Sequence, residues 1–195
     1  MNRRSKTGLA LALVFGAVAT GYLVMPREPR YQGRSLSAWL AELDLESSYS
    51  QDKPAEAVRA IGTNALLWLR RMLQSEGPIW ERAMVGFNAR QSLIQFPITP
   101  DNVVRNRALR GYHILGNVAQ CDVPKLIQLL ETQSSPRVRS YAALALGNIG
   151  PAAKEALPVL QQAATDADSD VRRNAMWAVA NIKMWAPDAL PTKQY

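Results

Sequence analysis

Apolar positions recur along most of this chain at the spacing of an amphipathic helix. Leu36, Trp39, Leu40 and Leu43 stand at i, i+3, i+4 and i+7 and predict a helix over Ser35–Leu45. Glu46–Lys53 is a polar break. In Pro54–Leu73, Ala57, Val58 and Ile61 mark one helix, Gly62-Thr63-Asn64 a turn, and Leu66, Leu67, Leu69, Met72 and Leu73 a second helix. Gly77-Pro78 interrupts the pattern, and Trp80–Phe96 is again amphipathic, reading as an inserted or degenerate helix. Thr99-Pro100 opens a helix carrying Val103, Val104, Ala108, Ile114 and Leu115, whose partner is Val123–Leu130. Gly116-Asn117-Val118 reads as the same helix ending as Gly147-Asn148-Ile149.

From Ser134 onward the chain says nearly the same thing twice, at an offset of 33 residues. Val138-Arg139 falls on Val171-Arg172, Ala142 on Ala175, Ala145 on Ala178, Asn148-Ile149 on Asn181-Ile182, and Ala156-Leu157-Pro158 on Ala189-Leu190-Pro191. A fixed period in the range of about 20–50 residues is the signature of a stacked repeat. In each copy a capping residue, Ser135 or Asp168, precedes a first helix with one apolar face, and a shorter apolar stripe follows a turn. Pro136 suits the first helical position. One such helix–turn–helix unit cannot bury both stripes, so neighbours must cover them. The predicted division is units at 54–76, 99–133 and 134–166, then a half unit at 167–195.

The run Val-Arg-x-x-Ala-x-x-Ala-x-x-Asn-Ile, followed by Ala-Leu-Pro, resembles the HEAT repeat in the variety named after phycobilisome lyases. The resemblance is strong over Thr99–Pro191 and weaker over Ser35–Leu73. Tyr31–Leu40 is similar to the start of many exported bacterial HEAT-repeat proteins. The resemblance implies an all-α, right-handed α-solenoid over residues 35–195, used as a scaffold for protein–protein interaction, with the second helices lining its concave face. The candidates for partner contact there are Arg70, Arg71, Lys125, Gln128, Gln161 and Gln162. The same resemblance keeps two alternatives open, a bilin-lyase-like cofactor-handling protein and a HEAT-like nucleic-acid binder.

The first residues do not belong to this pattern. Met1–Gly8 is polar and basic, and Leu9–Met25 runs 17 residues without a charge. A basic start and an apolar middle are those of a secretory signal or a signal anchor. Ala17-Val18-Ala19 offers a cleavage site, whereas the continued run through Met25 approaches the lower limit of about 17 residues for a membrane span. The expectation is a single-pass membrane anchor with the repeats outside the cytoplasm, or a secreted or periplasmic protein after cleavage near Ala19. Pro26–Arg34 then reads as a linker. The leader also changes the reading of charge. The net charge is +7, but Arg3, Arg4 and Lys6 supply three of those charges, leaving 20 basic against 16 acidic groups after Met25. The balance permits an acidic partner without demanding one, and export argues against nucleic acid.

Candidate chemistry is sparse. A single histidine, His113, excludes two-histidine metal motifs, and a single cysteine, Cys121, excludes an intrachain disulfide and a cysteine zinc cluster. A Cys121–His113 nucleophile pair, with Asp122 beside it, is outweighed by a mid-helix histidine in a slot filled elsewhere by Leu144. No catalytic residue, cofactor or metal is expected. Arg59, Arg105, Arg139 and Arg172 recur in first helices, where they pair with acids or carbonyls of adjacent repeats or form a phosphate-binding ladder. Asn117, Asn148 and Asn181 recur at the ends of those helices. In the last unit Met176 and Trp177 replace Ala143 and Leu144, and Met184-Trp185 replace Pro151-Ala152. Large apolar residues at the end of a stack either seal it or form a docking edge for a partner or a second copy.

Overall fold

The structure, a computed structural model, describes residues 27–44, 52–75 and 99–184. The apolar leader, the stretch Trp80–Phe96, Trp185 and Ala189-Leu190-Pro191 lie outside the described residues. Among the described residues no helix is long and apolar enough to cross a membrane.

Among the described residues the chain is helical apart from one two-stranded hairpin and the connecting turns. Strands β1 (Arg30–Tyr31) and β2 (Arg34–Ser35) pair antiparallel, Arg30 with Ser35 and Tyr31 with Arg34. The stretch expected as a linker therefore holds an ordered turn. Gln32 and Gly33 both have positive φ, at 49° and 78°, as a tight two-residue turn requires. Helix α1 (Leu36–Glu42) follows, with the Ser35 hydroxyl accepting from the Ala38 amide at 3.3 Å. Tyr31 and Trp39 meet at 6.4 Å between ring centroids, the Trp39 indole N–H donates to the Tyr31 carbonyl at 3.1 Å, and the Arg34 guanidinium lies over the Trp39 ring at 4.0 Å.

Three helix pairs come next. They are α2 (Asp52–Ile61) with α3 (Leu66–Leu73), α4 (Asp101–Leu115) with α5 (Val123–Thr132), and α6 (Pro136–Ile149) with α7 (Leu157–Ala163). Helix α8 (Ser169–Met184) begins a fourth unit. Each pair turns through a 3-10 segment: Gly62–Ala65, Gly116–Asp122 and Gly150–Ala156. Each segment opens on a glycine in the left-handed half of φ space, at 60°, 48° and 75°, which ends the first helix at little steric cost. The counterpart of Gly116 is therefore Gly150, not Gly147 as the matched tripeptides suggest. Gly147 lies inside α6, where Trp177 and Ala178 of α8 press against it.

The first helices form one layer, α4 on α6 and α6 on α8, and the second helices the other, with α5 beside α7. The apolar stripes anticipated from the sequence meet largely between the layers, with Leu67 the exception, exposed on the surface of α3. Ala57, Val58, Ile61, Leu69, Leu73, Ala108, Leu115, Leu126, Val138, Ala142, Ala145, Leu146, Ile149, Leu160, Val171, Ala175, Ala178 and Ile182 are all buried. Two close approaches set the spacing: Leu69 of α3 against Gly111 of α4, and Trp177 against Gly147. Asp168 caps α8, its carboxylate accepting from the amides of Asp170 at 2.9 Å and Val171 at 3.1 Å. Ser135 occupies the same place before α6 but makes no side-chain capping bond, so Pro136 at the first turn carries that start.

Candidate interaction surfaces

The recurrent arginines of the first helices are joints between units. Arg105 is buried and donates to the carbonyls of Leu73 and Ser75, closing the end of α3, while its guanidinium faces the Tyr141 ring at 5.6 Å. Its Nη1 is buried without a hydrogen-bond partner. Arg139 donates to the Gln133 and Ser134 carbonyls and grips the Asp166 carboxylate at two points, 3.0 and 2.9 Å. Arg172 donates to the Asp166 and Ala167 carbonyls at 2.7 and 2.8 Å. Each arginine thus satisfies carbonyls left free where the preceding second helix ends. The Arg139 hydrogen bonds, with one from the Asp168 amide, hold the Asp166 carboxyl below its ordinary range. Arg59 of α2 is exposed and stands outside this ladder.

The asparagines divide. Asn181 donates to the Gly147 carbonyl at 3.3 Å, joining α8 to α6, whereas Asn117 is exposed in its 3-10 segment. A further joint, Asn174 to the Ser140 hydroxyl at 2.6 Å, was not visible in the repeat comparison.

Of the residues expected on the second-helix face, Arg71, Lys125, Gln128, Gln161 and Gln162 are exposed. Arg71 also lies over the Trp68 ring at 5.2 Å. Arg70 is the exception. It turns inward and pairs with Asp122, which is buried and also accepts from the Tyr112 hydroxyl at 2.7 Å. Burial, reinforced by Asp122, pushes the Tyr112 hydroxyl well above its ordinary range. This Arg70–Asp122–Tyr112 group ties α3 to α4 and to the turn before α5, so Arg70 has no free charge for a partner. It also removes Asp122 from any chemistry with its neighbours: His113 is exposed, and the Cys121 thiol is exposed with only a 3.9 Å contact to the Val118 carbonyl. Among the described residues no cluster of His, Cys, Asp or Glu could hold a metal ion.

Between the ends of α5 and α7 lies an open groove of about 500 Å³. Glu131, Gln133, Gln162, Thr165 and the Arg139–Asp166 pair give it a polar lining beside Leu130 and Val159.

At the far end of the stack, Met176, Trp177 and Met184 are 62%, 41% and 68% exposed. Trp177 therefore does two things: one edge of its ring rests on Gly147, and the other faces solvent.

No curated protein and no solved structure gives a significant match to this chain. Residues 123–192 match the family model described as HEAT repeats, which agrees with the paired helices seen from α5 through α8 and supports reading the chain as a HEAT-repeat protein.

Proposed function

We propose that this chain is a non-enzymatic scaffold of the cell envelope that holds a protein partner on its second helices. HEAT repeats commonly serve as protein-interaction scaffolds, and stacked helix pairs create extended surfaces from small rotations per repeat. The observation that carries the reading is the exposed polar row on α3, α5 and α7: Arg71, Lys125, Gln128, Gln161 and Gln162. The ionisable groups between the units are by contrast committed to internal bonds, as at Arg70, Arg105 and Arg139. These exposed residues have no structural duty of that kind, and Arg71 and Lys125 favour a partner surface with acidic groups.

The envelope part of the proposal rests on the basic start and the uncharged run Leu9–Met25. It places the repeats outside the cytoplasm, on a single-pass anchor or free after cleavage near Ala19. Reporter fusions after Tyr195 test the side of the membrane, and sequencing the mature N-terminus tests cleavage. Cytoplasmic reporter activity would remove the envelope from the proposal. For the partner, Arg71→Glu with Lys125→Glu in the full chain should abolish recovery of a protein that co-purifies with the wild type from its own envelope, without lowering Tm. Unchanged recovery would mean that this face is not the one used.

A further inference from the structure

Eight residues of α8 are exposed: Ser169, Asp170, Arg173, Met176, Trp177, Ala180, Lys183 and Met184. They form its outward face, opposite buried Val171, Ala175, Ala178 and Ile182. In the preceding unit the same face of α6 includes Ala143, Leu144 and Gly147, and there it is covered by α8 itself. The outward face of α8 is thus the stacking face of the repeat, with no further first helix upon it among the described residues.

Among the described residues the other end of the stack offers nothing to match it. There the hairpin and α1 pack on α2, and Tyr31 reaches across so that its hydroxyl donates to Glu56 at 3.3 Å. No large apolar side chain from Arg27 to Ile61 is exposed among the described residues. Head-to-tail stacking of copies would set Met176, Trp177 and Met184 against an end whose described residues expose no large apolar side chain. A twofold pairing sets the face against itself, and a twofold interface uses the same patch on both subunits.

The exposed positions suit that arrangement. Reversing α8 about its midpoint, between Met176 and Trp177, exchanges Met176 with Trp177, Arg173 with Ala180, Asp170 with Lys183, and Ser169 with Met184. On an antiparallel pair of helices each residue then lies level with its exchange partner from the other copy, within side-chain reach across the seam. The thioether of Met176 meets the Trp177 ring, a favourable contact that occurs twice about the axis. The Arg173 stem lies over the small Ala180. Asp170, which already pairs with Arg173 at 2.7 Å, comes level with Lys183 of the other copy, whose long stem can carry its ammonium across the seam, so opposite charges approach at both ends of the apolar centre.

We propose that two copies of this chain associate through the outward face of α8, antiparallel about a twofold axis between Met176 and Trp177. Eight residues a side fall well short of the roughly 20–30 of a standard interface, so the dimer is weak and dissociates on dilution. The proposal goes beyond partner binding on the second helices and uses none of the same residues.

Sedimentation equilibrium of the full 195-residue chain in density-matched detergent, over a micromolar concentration series, tests it. The expected result is a monomer–dimer equilibrium. Met176→Glu and Lys183→Asp, each alone, should weaken it by about tenfold or more. Asp170→Lys alone should do the same by opposing two lysines. Combining Asp170→Lys with Lys183→Asp restores the opposite pairs and should return the dimer to near its original strength. Far-UV circular dichroism on each variant separates lost association from lost folding. A chain that stays monomeric throughout assigns the face to its own residues after Met184 or to another protein, and overturns the proposal. So does a dimer indifferent to Met176→Glu, or a charge exchange that fails to restore pairing when both single variants are folded. None of these outcomes bears on capture of a partner through Arg71 and Lys125.

Discussion

Replacing Gly147 with alanine sets two effects against each other, and the structure says which wins. Gly147 lies inside α6, where alanine gains about 0.5–1 kcal/mol over glycine from backbone entropy alone. Against that, an added Cβ would stand 2.5 Å from Cζ3 and 2.9 Å from Cε3 of Trp177, and 2.9 Å from the Ala178 Cα. The ring is partly exposed and can swing outward. The Ala178 Cα cannot, because it belongs to the backbone of α8 where that helix is buried. The helix must shift, and overpacking of this kind costs about 1–3 kcal/mol. The net expectation for Gly147→Ala is a loss of about 1–2 kcal/mol. Gly111→Ala is the control: its three nearest atoms all belong to the Leu69 side chain, which can change rotamer, so the loss should be smaller. Adding Trp177→Ala to Gly147→Ala removes the ring contact but leaves the backbone contact, so it should recover little of the lost stability. Urea unfolding followed by far-UV circular dichroism measures all of these. If Gly147→Ala proves as stable as the parent or more so, propensity alone governs the site and α8 does not approach α6 as described.

Ala142 and Ala175 fill the same slot in successive first helices and are fully buried. Leucine at either should cost about 1–3 kcal/mol in the same assay. Tyr112→Phe removes the hydroxyl that donates to the buried Asp122 carboxylate and should cost about 1.5–3 kcal/mol, the range for a hydrogen bond to a charged group. Unchanged urea midpoints would show that the Arg70–Asp122 pair needs no third member. The depressed Asp166 gives a pH signature. Its stabilisation is present above the ordinary aspartate value of about 3.9 and is lost as pH falls through the lower folded-state value. Asp166→Asn should therefore be less stable than the parent near neutrality and lose less on acidification. Parallel acid profiles would contradict this.

Much of the architecture is legible because it is periodic. The buried faces of α2, α4, α6 and α8 and the arginine joints of α4, α6 and α8 repeat, and repetition can be read without coordinates. What escaped reading is local geometry or single long-range contacts. The hairpin has strands of only two residues, too short to show alternation, and its turn places Gln32, not the usual asparagine, at positive φ. Matching tripeptides align Gly116 with Gly147, but conformation pairs it with Gly150, since positive φ and not the neighbouring Asn decides where a first helix ends. Arg70 sits on a second helix like the exposed Arg71, and nothing local shows that it turns toward Asp122, 52 residues on. The end face was legible in part. The exchange of Ala143 and Leu144 for Met176 and Trp177 marked it, but contact of the Trp177 ring with Gly147 required the structure.

The central claim, that the second helices carry the partner surface, is tested most directly by site-specific photo-crosslinking in the cell that makes the protein. A benzophenone amino acid placed singly at Gln128 or Gln161 of the full chain should give, on irradiation, an adduct of one discrete mass. The same group at the exposed first-layer positions Arg137 or Arg173 should not give that adduct. Adducts of that same mass from both layers, or none from Gln128 and Gln161 while another position is captured, would contradict the account.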